Sequence, residues 1–109
     1  MNDLTLNELQ LQSSVWTKSN FGKHPSYQPL LGVVEEVGEL AHAHLKNEQG
    51  IRGTPDEHRA AKIDAIGDII IYLVDYCNQE DISIQKAVED TWAQVKARDW
   101  TKDKLKGGE

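Results

Sequence analysis

The sequence predicts an all-α fold of the four-helix bundle type, and two observations support this prediction. Apolar residues recur at the three- and four-residue spacing of a helix face in four successive segments. No window of useful length alternates with the period of two that a half-buried strand requires. The chain has 109 residues, of which 39% are hydrophobic and 28% charged, values typical of one globular domain with its own core. We therefore expect a single all-α domain over residues 1–100 and a polar tail over 101–109.

The first two predicted helices flank a segment rich in glycine, proline and serine. Apolar spacing predicts the first helix over about 4–18 and the second over about 30–46. Between them, the segment SNFGKHPSYQP at 19–29 interrupts the helical pattern. After the second helix, Gly50 or Gly53 can adopt the left-handed conformation that ends a helix.

The last two predicted helices each begin at a recognisable cap. Thr54 and Glu57 have the spacing of a capping box at the start of the third helix. That helix is apolar on most sides over 69–74, which predicts a position at the centre of the bundle. The fourth helix begins near Ser83, a favourable N-cap residue, and extends to about residue 99.

Charge and cysteine content limit the classes of partner and compartment. The formal net charge of −6 argues against general binding to nucleic acid or to an anionic membrane. A bound cation would still allow a small polyanion to bind, because it reverses the local charge. The single cysteine, Cys77, lies in an apolar run and is predicted to be a buried structural thiol. The chain begins with no signal-peptide pattern and has no apolar run long enough to cross a bilayer, so we expect a cytoplasmic protein.

Acidic side chains interrupt the apolar pattern of the second and third helices. Residues three or four apart share a helix face, which relates Glu39 to both Glu35 and Glu36, and Asp68 to Asp64. Several carboxylates at close range repel one another unless a cation compensates their charge. An all-oxygen ligand set suits Mg²⁺, with Mn²⁺ as a substitute, and Mg²⁺ often shares its coordination shell with substrate phosphates. The alternative is that these acids form an ordinary solvated face.

Two glycines lie next to these acids, at Gly38 and Gly67. A glycine inside a helix costs about 1 kcal/mol relative to alanine. Their presence in both helices therefore predicts a need for space, either for a cation or for a close approach between helices. Asp75 follows Asp68 by seven residues and lies near the same azimuth of the third helix.

Two segments together resemble the MazG-like nucleoside triphosphate pyrophosphohydrolases, an all-α family. They are PLLGVVEEVGELAHAHLK at 29–46 and KIDAIGDIIIYLVDYCN at 62–78, and the likeness extends over roughly 16–100. The family is marked by EExxE on one helix and ExxD on the next. The resemblance implies Mg²⁺-dependent cleavage of a (deoxy)nucleoside triphosphate to the monophosphate and pyrophosphate. It also implies a homodimer or homotetramer with the site near a subunit interface.

Four acids occupy positions of the two family motifs and are the catalytic candidates that the resemblance implies. They are Glu35, Glu36, Glu39 and Asp68. Glu36, Glu39 and Asp68 are expected to bind the metal, and Glu35 to orient or deprotonate the attacking water. Ala65 stands at the first position of ExxD and cannot bind metal. Asp64, one residue earlier and about 100° around the helix, is expected to supply a further metal ligand.

Seven further residues are predicted to bind the substrate. They are Trp16, Lys18, Asn20, Phe21, Lys62, Lys96 and Arg98. The segment that contains Lys18, Asn20 and Phe21 resembles one that lies beside the nucleotide in the family, and Trp16 or Phe21 is expected to stack on the base. The three later cations are expected to contact phosphates. Trp92 is predicted to belong to the core.

Two other functions remain open at this stage. Glu39 and His42 form an ExxH motif like those of di-iron bundles, although such bundles need a second motif. The chain also suits a non-catalytic or weakly active helical oligomer that binds metal, nucleotide or a protein partner, and Ala65 favours that alternative. A nucleophilic hydrolase is disfavoured because the sequence has no GxSxG motif.

Overall fold

The computed structural model describes residues 3–99 and Thr101. Within that part the chain forms four α-helices and no strand: α1 (Leu6–Phe21), α2 (Tyr27–Gln49), α3 (Pro55–Gln79) and α4 (Ile84–Lys96). The all-α prediction is confirmed. Of the predicted polar tail, all but Thr101 lies outside the described residues. None of the helices in the described part of the chain combines the length and apolarity that crossing a bilayer requires.

Helix α1 begins two residues later than predicted because Thr5 caps it. The Thr5 hydroxyl accepts the backbone N–H of Glu8 at 3.1 Å. The helix then continues through Phe21 and ends at Gly22, whose φ of 69° is readily adopted only by glycine. The Gly22 N–H donates to the carbonyl oxygen of Lys18 at 3.1 Å. Phe21 is therefore held on a helix and not in the predicted loop.

Helix α2 is longer than predicted at both ends. It begins at Tyr27, because Pro29 lies in the first turn, where its missing N–H breaks no helical hydrogen bond. It ends at Gln49, three residues beyond the predicted end. Gly50 then adopts the left-handed conformation, with φ of 68° and ψ of 31°, as its position after the helix predicted.

The predicted capping box of α3 is confirmed. The Thr54 hydroxyl accepts the Glu57 N–H at 3.1 Å, and the Glu57 carboxylate accepts the Thr54 N–H at 2.8 Å. The hydrogen bond from the Thr54 backbone N–H, followed by that from the Thr54 side chain, holds the Glu57 pKa below its usual range. The buried His58 side chain donates from Nε2 to the carbonyl oxygen of Ile51 at 2.9 Å, which fixes the loop before α3.

The turn from α3 to α4 is held by the Gln10 side chain of α1. Gln10 donates from Nε2 to the carbonyl oxygen of Ile82 at 2.6 Å and accepts the Ile84 N–H at 3.0 Å. Ser83 is the predicted N-cap, and its hydroxyl accepts the Lys86 N–H at 3.1 Å. Helix α4 ends at Lys96, three residues before the predicted end.

The core of the described chain is small and centres on α3. Helix α3 packs against both α1 and α2, and α4 packs against α1. Val74 is fully buried, and it contacts the buried side chains of Cys77 and Ile84. The central position of α3 and the burial of Cys77 are confirmed. Burial also raises the pKa of the Cys77 thiol.

Much apolar surface lies outside this core. Trp92 is 57% exposed, so the prediction that it belongs to the core is wrong for the single chain. The accessible surface of 8374 Å² exceeds the roughly 6,100 Å² expected for a compact monomer of 12.3 kDa. The radius of gyration of 17.4 Å likewise exceeds the roughly 13 Å expected for this length. The apolar stripes that predict the helices are thus only partly buried within one chain.

Candidate functional site

Three glutamates converge on one face of α2. Glu35, Glu36 and Glu39 each offer a carboxylate oxygen, and these oxygens lie within 4.8 Å of one another. Their spacing of one, three and four residues places them on adjoining positions of the helix. Glu36 is partly buried, whereas Glu35 and Glu39 are exposed.

The acids of α3 face this cluster. The pKa of the Glu36 carboxyl is raised, first by desolvation and then by repulsion from Glu39, Asp68, Glu35 and Asp64 in that order. Asp68 and Asp64 therefore act on the same carboxyl from the neighbouring helix. The structure thus places the two acids of α3 near the cluster, although among the described residues only the three glutamates of α2 form a group of oxygens within 4.8 Å of one another.

The residue that departs from the ExxD motif of the MazG-like enzymes, Ala65, is buried. Ala65 is only 3% exposed, whereas Asp64 is exposed and Asp68 is partly buried. No carboxylate therefore occupies the buried side of this turn of α3. Asp64 approaches the cluster from the solvent side.

A cavity of about 250 Å³ adjoins the acids on one side, and we call it the aromatic cavity. Its lining residues are Trp16, Thr17 and Phe21 of α1, Glu36 of α2, and Asp68, Ile71, Tyr72 and Asp75 of α3. The rings of Trp16 and Phe21 meet edge to face, with centroids 5.4 Å apart and planes at 81°. Both of the sequence-predicted stacking residues therefore lie in the same cavity as two predicted metal ligands.

A second, more open cavity of about 550 Å³ adjoins the acids on the other side, and we call it the charged groove. Its charged and titratable lining residues are Glu35, Glu39, His42, Lys46, Arg52, His58 and Asp64. The acidic cluster therefore separates an aromatic cavity, bordered by Glu36, from a groove that contains cations. A ligand that crossed the cluster would meet apolar rings at one end and positive charge at the other.

His24 and Asp75 form an ion pair beside the aromatic cavity. His24 Nε2 lies 2.8 and 2.9 Å from the two carboxylate oxygens of Asp75, and His24 Nδ1 lies 3.0 Å from the carbonyl oxygen of Gly22. Because both ring nitrogens meet acceptors, the arrangement selects the doubly protonated ring. The hydrogen bond to Gly22, followed by that to Asp75, raises the pKa of His24. The two side chains are only 11% and 13% exposed.

The other predicted substrate-binding residues lie elsewhere in the structure. Asn20 donates from its amide to the carbonyl oxygen of Trp16 at 2.8 Å, and Lys18 lies in the last turn of α1. Lys62 is partly buried on α3, and Lys96 is the last residue of α4. These four residues and Arg98 are not among those that line the aromatic cavity or the charged groove, and their contacts with substrate remain predictions.

The cations that line the charged groove were not among the sequence candidates. Lys46 follows Glu39 by seven residues, and His42 lies between them on the same helix face, so helical spacing alone was a usable signal. Arg52 follows α2 and has a positive φ of 60°. No local pattern could have placed Arg52, because its position depends on how the loop folds back.

The close approach between α2 and α3 occurs at a different glycine from the two that lie next to the acids. A Cβ atom added at Gly38 or Gly67 would meet no atom within 4 Å, so neither marks a close approach between helices of this chain. The close approach occurs at Gly32, where an added Cβ would lie 2.6 Å from the Tyr72 ring. Tyr72 also lines the aromatic cavity. Gly32 therefore sets the position of one wall of the candidate site.

Comparison with known proteins adds no further assignment. A scan against models of protein families finds no match to this chain, and a search of curated proteins finds no significant match. The resemblance to MazG-like enzymes therefore depends on the two motifs, and the functional proposal depends on the geometry of the site.

Proposed function

We propose that the protein is a Mg²⁺-dependent nucleoside triphosphate pyrophosphohydrolase that resembles the MazG-like enzymes and converts a (deoxy)nucleoside triphosphate to its monophosphate and pyrophosphate. The observation that carries the proposal is the cluster of three glutamates on α2, which has Asp64 and Asp68 of α3 beside it and adjoins both the aromatic cavity and the charged groove. A nucleoside triphosphate has three parts that suit these environments in this order. The base suits the aromatic cavity, the metal-bound phosphate region suits the acidic cluster, and the departing pyrophosphate suits the charged groove.

The acidic cluster fits a hard divalent cation. Its donors are all carboxylate oxygens, the ligands that Mg²⁺ takes in proteins, and one oxygen from each of Glu35, Glu36 and Glu39 lies within 4.8 Å of the other two. Glu36, Glu39 and Asp68 would hold the ion, and Asp64 would hold it from the solvent side. Bound Mg²⁺, or Mn²⁺ in its place, supplies neutralisation of the phosphate oxygens near the cleaved bond.

The remaining site residues would bind the base, bind the departing pyrophosphate and orient the attacking water. The rings of Trp16 and Phe21 border the cavity next to Glu36 and offer a stacking surface for the base. Lys46 and Arg52 offer positive charge to the departing pyrophosphate in the charged groove. Glu35 is exposed at the edge of the cluster, where its carboxylate would orient the water that attacks the phosphorus atom.

We also propose that the protein functions as a homodimer or homotetramer in the cytoplasm, without nucleic acid or membrane partners. Exposed apolar side chains recur at helical spacing on the two helices that carry the acids. They are Leu30, Val34, Val37 and Leu45 on α2, and Ile63, Ile66 and Ile70 on α3. The chain exposes about 2,300 Å² more surface than a compact monomer of its mass, which is in the range that obligate oligomers bury. The unpaired, buried thiol of Cys77 suits a reducing compartment.

The test is an assay of pyrophosphate release with Mg²⁺ and a panel of nucleoside triphosphates. Glu39→Gln should abolish release, because it removes one charge from the ligand set without changing its shape. Glu48→Gln is the matched control, since Glu48 is an exposed residue of the same helix that does not line either cavity. The proposal is wrong if the folded protein releases no pyrophosphate from any nucleotide with either Mg²⁺ or Mn²⁺.

One observation favours the alternative of a non-catalytic or weakly active oligomer that binds metal, nucleotide or a protein partner. Ala65 is buried at a position where the family motif carries an acid. A lost metal ligand leaves nucleotide binding possible while slowing the reaction. Calorimetric binding of a nucleoside triphosphate without turnover would support this alternative, and steady release of pyrophosphate would exclude it.

A further inference from the structure

Asp75 borders the aromatic cavity two helical turns away from the metal-binding acids. Asp68 and Asp75 both line the cavity, and their separation of seven residues corresponds to about 10.5 Å along the axis of α3. Tyr72 lies between them on the same wall. A nucleotide whose phosphates lay at Asp68 and whose base lay along Tyr72 would bring the far edge of the base to Asp75.

The carboxylate of Asp75 retains an unused acceptor site. Its Oδ1 accepts from Gln79 Nε2 at 3.1 Å and from His24 Nε2 at 2.9 Å. Its Oδ2 accepts from His24 Nε2 alone, at 2.8 Å. Each carboxylate oxygen has about two lone-pair positions, so Oδ2 can accept one further hydrogen bond, and the side chain that carries it lines the aromatic cavity.

The ion pair with His24 restricts what this position can bind. His24 donates from both ring nitrogens, one to Asp75 and one to the Gly22 carbonyl oxygen. Asp75 accepts from this partner through both oxygens, and a carboxylate accepts hydrogen bonds but cannot donate one. A ligand group that presents an N–H satisfies Oδ2, whereas a carbonyl oxygen at the same point is repelled.

We infer that Asp75 is a specificity-determining residue that accepts a hydrogen bond from the exocyclic amino group of a nucleobase, so that the substrates are nucleotides of amino-bearing bases. This inference rests on the nucleotide site described under the proposed function. Cytosine, adenine and guanine carry such an amino group. Uracil and thymine carry carbonyl oxygens there, and their single ring N–H lies between two of them.

The size of the expected discrimination follows from the unmet hydrogen bond. A partly buried acceptor that loses its water without gaining a donor weakens binding, so we expect a preference of roughly tenfold to hundredfold for the amino-bearing base. Dispersion and stacking on Trp16, Phe21 and Tyr72 contribute similarly to cytosine and uracil. The hydrogen-bonding edge at C4 and N3 is therefore what separates these two bases, and only cytosine presents an amino group there.

The test compares dCTP with dUTP, whose bases differ at C4, which carries an amino group or a carbonyl oxygen, and at the adjacent N3, which is an acceptor or an N–H. With the full chain and Mg²⁺, kcat/KM should be at least about tenfold higher for dCTP. The pair dATP and dITP applies the same test to purines, and the comparison of dCTP with dATP shows which of these amino-bearing bases is preferred. In Asp75→Asn the dCTP preference should fall to less than about threefold, because an amide can also donate to a carbonyl oxygen. Asp90→Asn, an exposed change on α4, should retain the preference.

Binding of the monophosphates dCMP and dUMP, measured by calorimetry, provides a readout that does not require turnover. Tighter binding of dCMP in the wild type, lost in Asp75→Asn, supports the inference even if no pyrophosphate is released, in which case the hydrolase proposal alone fails. Release of pyrophosphate with equal use of dCTP and dUTP, or with a preference for dUTP, overturns the inference and leaves the hydrolase proposal intact. Absence of binding by any nucleotide overturns both.

Discussion

The ring of Tyr72 on α3 packs directly against the backbone of Gly32 on α2, so that a Cβ atom added at Gly32 would lie 2.6 Å from the ring. A contact this short cannot be accommodated unless the ring or the helix moves. Because Tyr72 also lines the aromatic cavity, the packing of the two helices and the shape of the candidate site depend on the same glycine.

Gly32→Ala should therefore destabilise the protein. Alanine gains about 1 kcal/mol of helix propensity, but we expect the steric cost to exceed this gain and to lower the free energy of unfolding by about 1–2 kcal/mol. Urea denaturation at a fixed protein concentration measures the change. Gly67→Ala is the control, since the added Cβ would have no atom within 4 Å beyond the adjoining backbone of its own helix, and it should not show this loss. Equal losses in both variants would contradict the packing argument.

The ion pair between His24 and Asp75 predicts a pH-dependent contribution to stability. The folded pKa of His24 is raised above the unfolded value of about 6.5. Its contribution is therefore fully present below pH 6.5 and is lost as the pH rises through the folded pKa. The difference in unfolding free energy between wild type and His24→Gln should be larger at pH 6 than at pH 9.

The matched control for this titration is His44→Gln. His44 lies on the exposed surface of α2, 3.9 Å from Glu48, with 65% of its side chain exposed. Exposed pairs contribute little to stability, so this variant should differ from wild type by a nearly constant amount over the same pH range. A flat profile for His24→Gln would show that the ring is not held in its charged form.

Repulsion within the acidic cluster predicts a response to both metal and pH. Without a divalent ion, the raised pKa of Glu36 means that the folded state is penalised at neutral pH and relieved as the pH falls through the folded pKa towards 4.5. Glu36→Gln should therefore raise the melting temperature of the metal-free protein at pH 7, and this gain should shrink as the pH falls towards 4.5.

Added Mg²⁺ should stabilise the wild type more than it stabilises Glu36→Gln. It should raise the melting temperature of the wild type by several degrees through mass action, and it should raise that of Glu36→Gln much less. Glu48→Gln should respond as the wild type does. A melting temperature that is indifferent to Mg²⁺ in all three proteins would argue against a metal site at the cluster.

The exposed apolar stripe on α3 predicts self-association. Ile66 is 53% exposed in the single chain, where a change to lysine would alter stability by less than about 0.5 kcal/mol. In a homo-oligomer that buries this stripe, Ile66→Lys would place a charge in the interface and shift the protein towards monomer. Light scattering coupled to size-exclusion chromatography measures the mass. Ala60→Lys adds the same charge to another exposed position of α3 and should leave the mass unchanged, whereas equal masses for wild type and Ile66→Lys would count against the predicted interface.

The features that the sequence predicted correctly are local ones. The capping box of Thr54 and Glu57, the N-cap at Ser83 and the left-handed Gly50 are confirmed. Each depends on atoms within about four residues of chain, so the residue types at those spacings are sufficient to predict them. The grouping of Glu35, Glu36 and Glu39 has the same origin, because helical periodicity alone brings their carboxylates together.

The features that escaped prediction depend on how the helices pack. Trp92 has the spacing of a core residue, yet it is exposed in the single chain, because periodicity identifies an apolar face without identifying what covers it. The close approach of α2 and α3 occurs at Gly32 and not at Gly38 or Gly67, since only the packed helices decide which glycine meets a side chain.

The sequence by itself therefore determined the four helices, the caps at Gly50, Thr54 and Ser83 and the acidic face of α2, all of which arise from interactions within one or two helical turns. Only the tertiary structure decided that His24 pairs with Asp75, 51 residues away, and that the acids lie between an aromatic cavity and a groove with cations. Those relationships depend on how a turn folds against a distant helix, and no short-range spacing in the chain encodes the outcome.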